Sequence, residues 1–242
     1  MKKAKFSRWL KTALILISYS PSVWVAYTVL LGIAMTLGRL SLAFGIMVSV
    51  SALFVGVGIA KYADLKKTAE QPVALSWAIK KSLPLALLAA STITLFWFVF
   101  TLIANLLTGE YGKILLFFFN WELSPDLLNR TSTRELANWL YTYANATLIF
   151  TLLMLTSFAS WFSYPLMLFK DFRYSAAITE GNYRVSRNQA ALYQMLGFIF
   201  AQAILCSSLT PLLTPVLYML TANLMYASYQ SFFEVSKPET QP

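Results

Sequence analysis

Along this chain, long stretches without any Asp, Glu, Lys or Arg alternate with short polar islands. The charge-free stretches are Thr12–Gly38, Leu40–Ala60, Ser82–Gly109, Leu136–Phe169 and Asn188–Phe233. A helix needs about 20 predominantly apolar residues to cross about 30 Å of hydrocarbon, and each of the first four stretches fits one crossing. The last is long enough for two and divides at SSLTPLLTP, where Pro211 and Pro215 interrupt helical hydrogen bonding. The pattern predicts an all-α, polytopic integral membrane helix bundle that forms a single membrane domain over residues 1–242. Six crossings are expected at about residues 22–37, 40–60, 84–107, 139–169, 190–208 and 215–233, with an outer loop over 108–138.

The polar islands suggest three copies of one unit, a short amphipathic helix followed by a turn and a transmembrane hairpin. In the first, Phe6, Trp9, Leu10, Ala13, Leu14 and Ile17 recur at helical spacing, with Lys5, Arg8 and Lys11 off the stripe. Such a helix is expected to lie in the headgroup layer with its apolar face down. Ser20 and Pro21 then mark a turn. In the second, VALSWAIKKS sets Val73, Trp77 and Ile79 against Lys80 and Lys81, and Pro84 is expected to open the crossing. In the third, YSAAITEGNYRVSRN takes the same place and Asn188 leads into the last two crossings. In the outer loop KILLFFFNW is too short to span and is expected to lie on the bilayer surface. Ser132 or Thr133 is expected to cap a helix carrying Glu135. Asn129-Arg130-Thr131 spells an N-glycosylation sequon, a pattern frequent by chance.

Charge adds an orientation. With the N-terminus placed inside, 15 of the 19 Lys and Arg residues fall on inner segments, and only Arg39, Lys113, Arg130 and Arg134 fall outside. The positive-inside rule then predicts that both termini are cytoplasmic. The net charge of +9 needs no nucleic acid to explain it. Composition agrees, since only 12% of residues are charged against about 25% in ordinary soluble domains. MKKAKFSRWLKTALILIS starts like a signal peptide, but no small-x-small cleavage site follows, so it reads as an uncleaved start. Histidine is absent and Cys206 is the single cysteine, which leaves no basis for a metal centre or an internal disulfide.

Polar residues inside a membrane are the first suspects for function. No ionisable Asp, Glu, Lys or Arg lies within the expected crossings, which argues against a proton-coupled pump. The neutral candidates are Tyr141, Tyr143 and Asn145, then Gln194 and Gln202, then Asn223, Tyr226 and Gln230. The last three share one helix face by their three- and four-residue spacing. Of these, Asn145, Gln202, Asn223, Tyr226 and Gln230 form the candidate binding set, as a polar path or pocket; the competing reading is interhelical hydrogen bonding. Ser41, Gly45 and Ser49, then Ala52, Gly56 and Ala60, make a small-residue stripe that suits close helix packing or a dimer seam. Asp171, Arg173, Arg184 and Arg187 could hold a lipid headgroup at the inner surface. Alternatively, Asp171 caps a helix starting at Phe172 while the arginines anchor it to anionic lipid.

Several of these segments together carry a resemblance. SRWLKTALILISYSPSVWVAY, the small-residue second crossing ending in ADLKK, YPLMLFKDFRYSAAITEGNYRVSRN and the closing ASYQSFFE resemble bacterial six-helix inner-membrane proteins. These are broadly like the YciC-type and glycerophosphodiesterase membrane-domain proteins. Pro165, Asp171, Ala177 and Asn188 stand at comparable places, whereas Glu180 replaces an expected serine. The resemblance implies a six-helix protein of the bacterial inner membrane and no particular activity. No nucleophile elbow, paired carboxylates or phosphate-binding loop is present. The expected function is therefore a non-enzymatic accessory or scaffold of a membrane assembly or envelope process, without cofactor. Its partners are the lipid bilayer and membrane proteins or further copies of itself. A transporter of a neutral or lipid-like substrate, or its membrane subunit, is the first alternative, and a toxin-immunity protein the second.

Overall fold

The computed structural model describes residues 4–68, 74–119 and 132–234. Val73, the end of KILLFFFNW beyond Phe119, the Asn129–Thr131 sequon and the basic residues Lys2, Lys3, Arg130 and Lys237 lie outside the described residues. Among the described residues the chain is helical. The helices are α1 (Phe6–Tyr19), α2 (Pro21–Met35), α3 (Leu42–Thr68), α4 (Leu75–Thr108), the single turn α5 (Lys113–Leu116), α6 (Thr133–Ser157), α7 (Ser163–Lys170), α8 (Tyr174–Arg187), α9 (Gln189–Ser208) and α10 (Thr214–Phe233). Short 3₁₀ turns stand at Thr36–Arg39 and Pro211–Leu213. Five segments among the described residues are long and apolar enough to cross a membrane: Pro21–Arg39, Leu42–Thr68, Leu75–Thr108, Arg134–Ser157 and Gln189–Ser208.

The expected sixth crossing is α10, whose 20 residues make a rod about 30 Å long. It falls outside the five because it carries Thr214, Thr221, Asn223, Ser228 and Gln230. Position explains that composition. Between Leu217 and Tyr229 every residue but Leu220 is buried, against α1, α2, α3, α6, α7 and α9. A central post of this kind shows lipid little of its surface, so polar side chains are tolerated wherever they find partners.

Four sequence expectations change in three dimensions. Part of the stripe on α1 faces protein: Trp9 and Ala13 are buried, with Leu16 beside them, while Leu14 is exposed; Trp9 lies edge-on to Phe232 at 5.7 Å, and its Nε1 donates to Ser231 Oγ at 2.8 Å. The C-terminal end of α10 supplies a better partner for a large indole than the headgroup layer does.

Pro84 does not begin a helix. It lies inside the continuous α4, so the second unit has no separate amphipathic helix, while the first and third keep their breaks at Ser20 and Asn188. Proline removes one helical N–H, here the donor to the Lys80 carbonyl, and disturbs the preceding turn, yet the helix continues through it. Just before it, Ser82 Oγ donates to the Ala78 carbonyl at 2.7 Å, and the Tyr164 hydroxyl donates to the Ser82 carbonyl at 3.3 Å.

The expected fourth crossing, residues 139–169, falls on two helices. Helix α6 begins in a capping box in which Ser132 Oγ accepts from the Glu135 N–H and the Glu135 carboxylate accepts from the Ser132 N–H, so Ser132 is the cap. The helix stops at Ser157, and α7 resumes at Ser163. Side-chain hydrogen bonds tie the segment between the two helices to the protein. Trp161 Nε1 donates to Ser228 Oγ at 2.9 Å, the Tyr174 hydroxyl to the Phe158 carbonyl at 3.2 Å, and Ser163 Oγ to the Ser160 carbonyl at 2.7 Å.

Asp171 does not cap a helix start. It ends α7 in the left-handed region, with φ 53°; α8 starts later, at Tyr174, with Arg173 before it and no side-chain cap. The small-residue stripe packs within the chain. A Cβ on Gly56 would lie 2.8 Å from Ala222 Cβ and 3.0 Å from the Tyr27 hydroxyl, and one on Gly58 2.8 Å from Ser82 Oγ. Absent side chains there let α3 approach α10 and α4.

Candidate functional site

The polar candidates separate into three groups. At the end of the bundle where both described termini lie, α3 and α10 present a connected set. The Tyr226 hydroxyl is 2.7 Å from Asp64 Oδ2 and 3.1 Å from Glu234 Oε2. Gln230 Nε2 donates to the same Asp64 oxygen at 2.8 Å. Lys61 Nζ donates to both Glu234 oxygens, at 2.8 and 2.9 Å, and stands 5.8 Å from the centre of the Tyr226 ring. Two carboxylates thus approach one phenol that carries a single proton, with one ammonium to balance them. Lys61 and Glu234 side chains keep 20% and 24% exposure, so solvent weakens their pairing only in part.

Sequence reasoning found Tyr226 and Gln230 here and missed Lys61, Asp64 and Glu234. The available signal was that α3 continues past the charge-free stretch without a breaker. Lys61 and Asp64 sit three apart on that extension, and so share a face.

The second group lies deeper. Asn145 Nδ2 donates to Thr214 Oγ1 at 3.0 Å, and the Tyr218 hydroxyl to the Ala144 carbonyl at 2.6 Å. These bonds join α6 to α10. Tyr143 donates to the Met35 carbonyl and Tyr141 to that of Gly32, joining α6 to α2. Asn223 bonds within its own helix, Nδ2 to the Met219 carbonyl at 2.9 Å. The Oδ1 atoms of Asn145 and Asn223 are buried without a protein partner among the described residues. Gln202 is half-buried on α9 and Gln194 exposed, and no hydrogen bond among the described residues joins either to α10. The five-residue binding set is therefore divided: Tyr226 and Gln230 belong to the Asp64 network, Asn145 and Asn223 to the interior, and Gln202 to neither.

The third group is the basic helix α8. Arg184 Nε pairs with Glu180 at 3.0 Å and stands 5.6 Å from the Phe233 ring. Arg187 covers Tyr183 at 4.3 Å. Arg173 and Asp171 are exposed at the other end of α8, about 16 Å from Arg184 along the axis. Asp171, Arg173, Arg184 and Arg187 do not converge on one headgroup. Groups of His, Cys, Asp or Glu able to hold a metal are absent among the described residues.

Comparison of the chain with protein-family models, with curated proteins and with solved structures finds no match. The structure defines the class, a helical bundle with several helices long and apolar enough to cross a membrane, and the functional reading rests on the geometry above.

Proposed function

We propose that this chain is a non-enzymatic scaffold or accessory subunit of a membrane assembly, crossing a bacterial inner membrane six times with both termini cytoplasmic. One observation carries the reading: the contrast between its closed centre and its open flank. In the interior, Asn145, Tyr141, Tyr143 and Tyr218 hydrogen-bond across to neighbouring helices, which ties α6 to α2 and α10 in the manner of interhelical bonds in lipid. On the flank, the apolar window of α4 is only 22% buried, against 61% in α3. Leu83, Leu87, Leu95, Val99 and Ile103 of α4 are exposed along a single long helix, the form of surface on which another membrane helix packs.

The test is site-specific photo-crosslinking in native membranes from Leu87, Leu95 and Val99 of α4, with Val25 and Val29 of α2 as comparison. Discrete adducts from α4 and none from α2 support the proposal. A ladder of lipid adducts from both faces overturns it. Orientation is tested separately in a Cys206→Ser background: Lys11→Cys and Lys66→Cys should label from the cytoplasmic side and Lys113→Cys from the other.

The unpartnered Oδ1 atoms of Asn145 and Asn223 favour a second reading, movement of a neutral or lipid-like substrate past α10. It requires that Asn223→Leu abolish flux in a protein that remains folded.

A further inference from the structure

Between α4 on one side and the broken α6–α7 crossing on the other lies a lateral crevice of about 400 Å³, within the range of ligand cavities. The break at residues 158–162 shapes it: α6 ends at Ser157 and α7 resumes at Ser163, so Met154 and Leu155 of α6 and Tyr164 and Met167 of α7 line the side facing α4 without one continuous helix between them. Leu85, Ala89, Thr92 and Phe96 form one wall at three- and four-residue spacing, Phe54 the floor, and Tyr164 part of the other side. The mouth opens outward between Leu88, Phe96 and Phe158, which are 64%, 38% and 59% exposed.

The hydroxyls in the crevice decide what it can hold. Each has one proton to donate, and each donates to a backbone carbonyl: Thr92 to Leu88 at 2.9 Å, Ser163 to Ser160 at 2.7 Å, Tyr164 to Ser82 at 3.3 Å and Tyr174 to Phe158 at 3.2 Å. A polar guest would find no free donor there, and an apolar chain loses nothing by entering.

Below the crevice the chemistry reverses. Lys80 and Lys81 lie one turn before Leu85, Lys170 ends α7, and Arg173 directly precedes Tyr174; all four are exposed. Lys81 and Phe169 line one small cavity, which brings the ends of α4 and α7 together. Asp171 is the one carboxylate in that stretch of α7–α8, and no ion pair with a carboxylate among the described residues occupies any of the four cations. From Lys81 to Phe96 the helical rise is about 22 Å, close to one leaflet including its headgroup layer, about 20–22 Å.

We propose that this crevice seats one anionic phospholipid of the leaflet on the side of the chain termini, with an acyl chain against α4 and the headgroup on Lys81, Lys170 and Arg173. This site is separate from the α10 network and from the exposed ridge of α4.

The test is native mass spectrometry of the full chain in detergent, titrated with phosphatidylglycerol or phosphatidylcholine of the same chain length. One phosphatidylglycerol should bind in preference to phosphatidylcholine. Ala89→Trp, which fills the crevice, should abolish that adduct, and Val29→Trp on the outer face of α2 should keep it. The Lys81→Gln/Arg173→Gln double variant should bind phosphatidylglycerol roughly 25-fold more weakly, at roughly fivefold per charge, and leave phosphatidylcholine unchanged. Should Ala89→Trp fail to fold, Thr92→Trp at the rim gives the same comparison. Equal binding of the two lipids, an adduct that survives the filled crevice, competition by inorganic phosphate alone, or a protein dimer that disappears with Ala89→Trp would each overturn the proposal.

Discussion

The hydroxyl of Tyr226 lies 2.7 Å from Asp64 and 3.1 Å from Glu234, so one side chain of the central helix joins a carboxylate of α3 to one at its own C-terminal end. Tyr226→Phe removes the only proton between these carboxylates and keeps the ring. A hydrogen bond to a charged group contributes about 1.5–3 kcal/mol, and thermal unfolding in detergent should show a loss of that order. Lys61→Met should destabilise too, by leaving Glu234 facing Asp64 without its cation.

Asp171 gives a prediction of opposite sign under the two roles considered for it. As an N-cap its loss would cost about 1 kcal/mol. At φ 53°, where a side chain costs about 1–2 kcal/mol relative to glycine, Asp171→Gly should be neutral or stabilising and Asp171→Val destabilising. A Tm comparison of the two variants decides between the roles.

Gly56 and Gly197 should respond in opposite directions. A Cβ on Gly56 meets Ala222 Cβ at 2.8 Å, whereas one on Gly197 meets nothing within 4 Å. Gly56→Leu should lower stability by about 1–3 kcal/mol through overpacking. Gly197→Ala should raise it by up to about 1 kcal/mol through helix propensity. Unfolding midpoints in one detergent are the measurement.

Docking of α1 depends on Trp9, whose side chain is 2% exposed. Trp9→Phe removes the bond to Ser231 and should cost about 1 kcal/mol. Trp9→Ala should cost about 3–5 kcal/mol and detach α1 locally, which would appear as protease cleavage before Ser20 at concentrations that leave the wild type intact. If α1 instead lay in the headgroup layer, both variants would leave cleavage unchanged.

The sequence by itself determined the membrane class and nearly every helix, because a chain in hydrocarbon must satisfy its backbone internally and keep charge at the ends. The gaps between charges therefore mark α2, α3, α4, α6 and α9 directly, and Ser132 and Glu135 mark the start of α6. Tertiary structure alone decided what each helix faces. The stripe of α1 reads equally well as lipid-facing or protein-facing, since both environments are apolar, and only the presence of Phe232 and Ser231 settles it. Pro84 reads as a helix opening, yet α4 runs through it, and the break after Ser157 is marked only by Ser157, Ser160, Ser163 and Pro165, which the surrounding apolar run hides. Asp64 and Tyr226 are 162 positions apart; no local pattern couples them, and they meet only because α3 and α10 pack side by side with glycine and alanine between them.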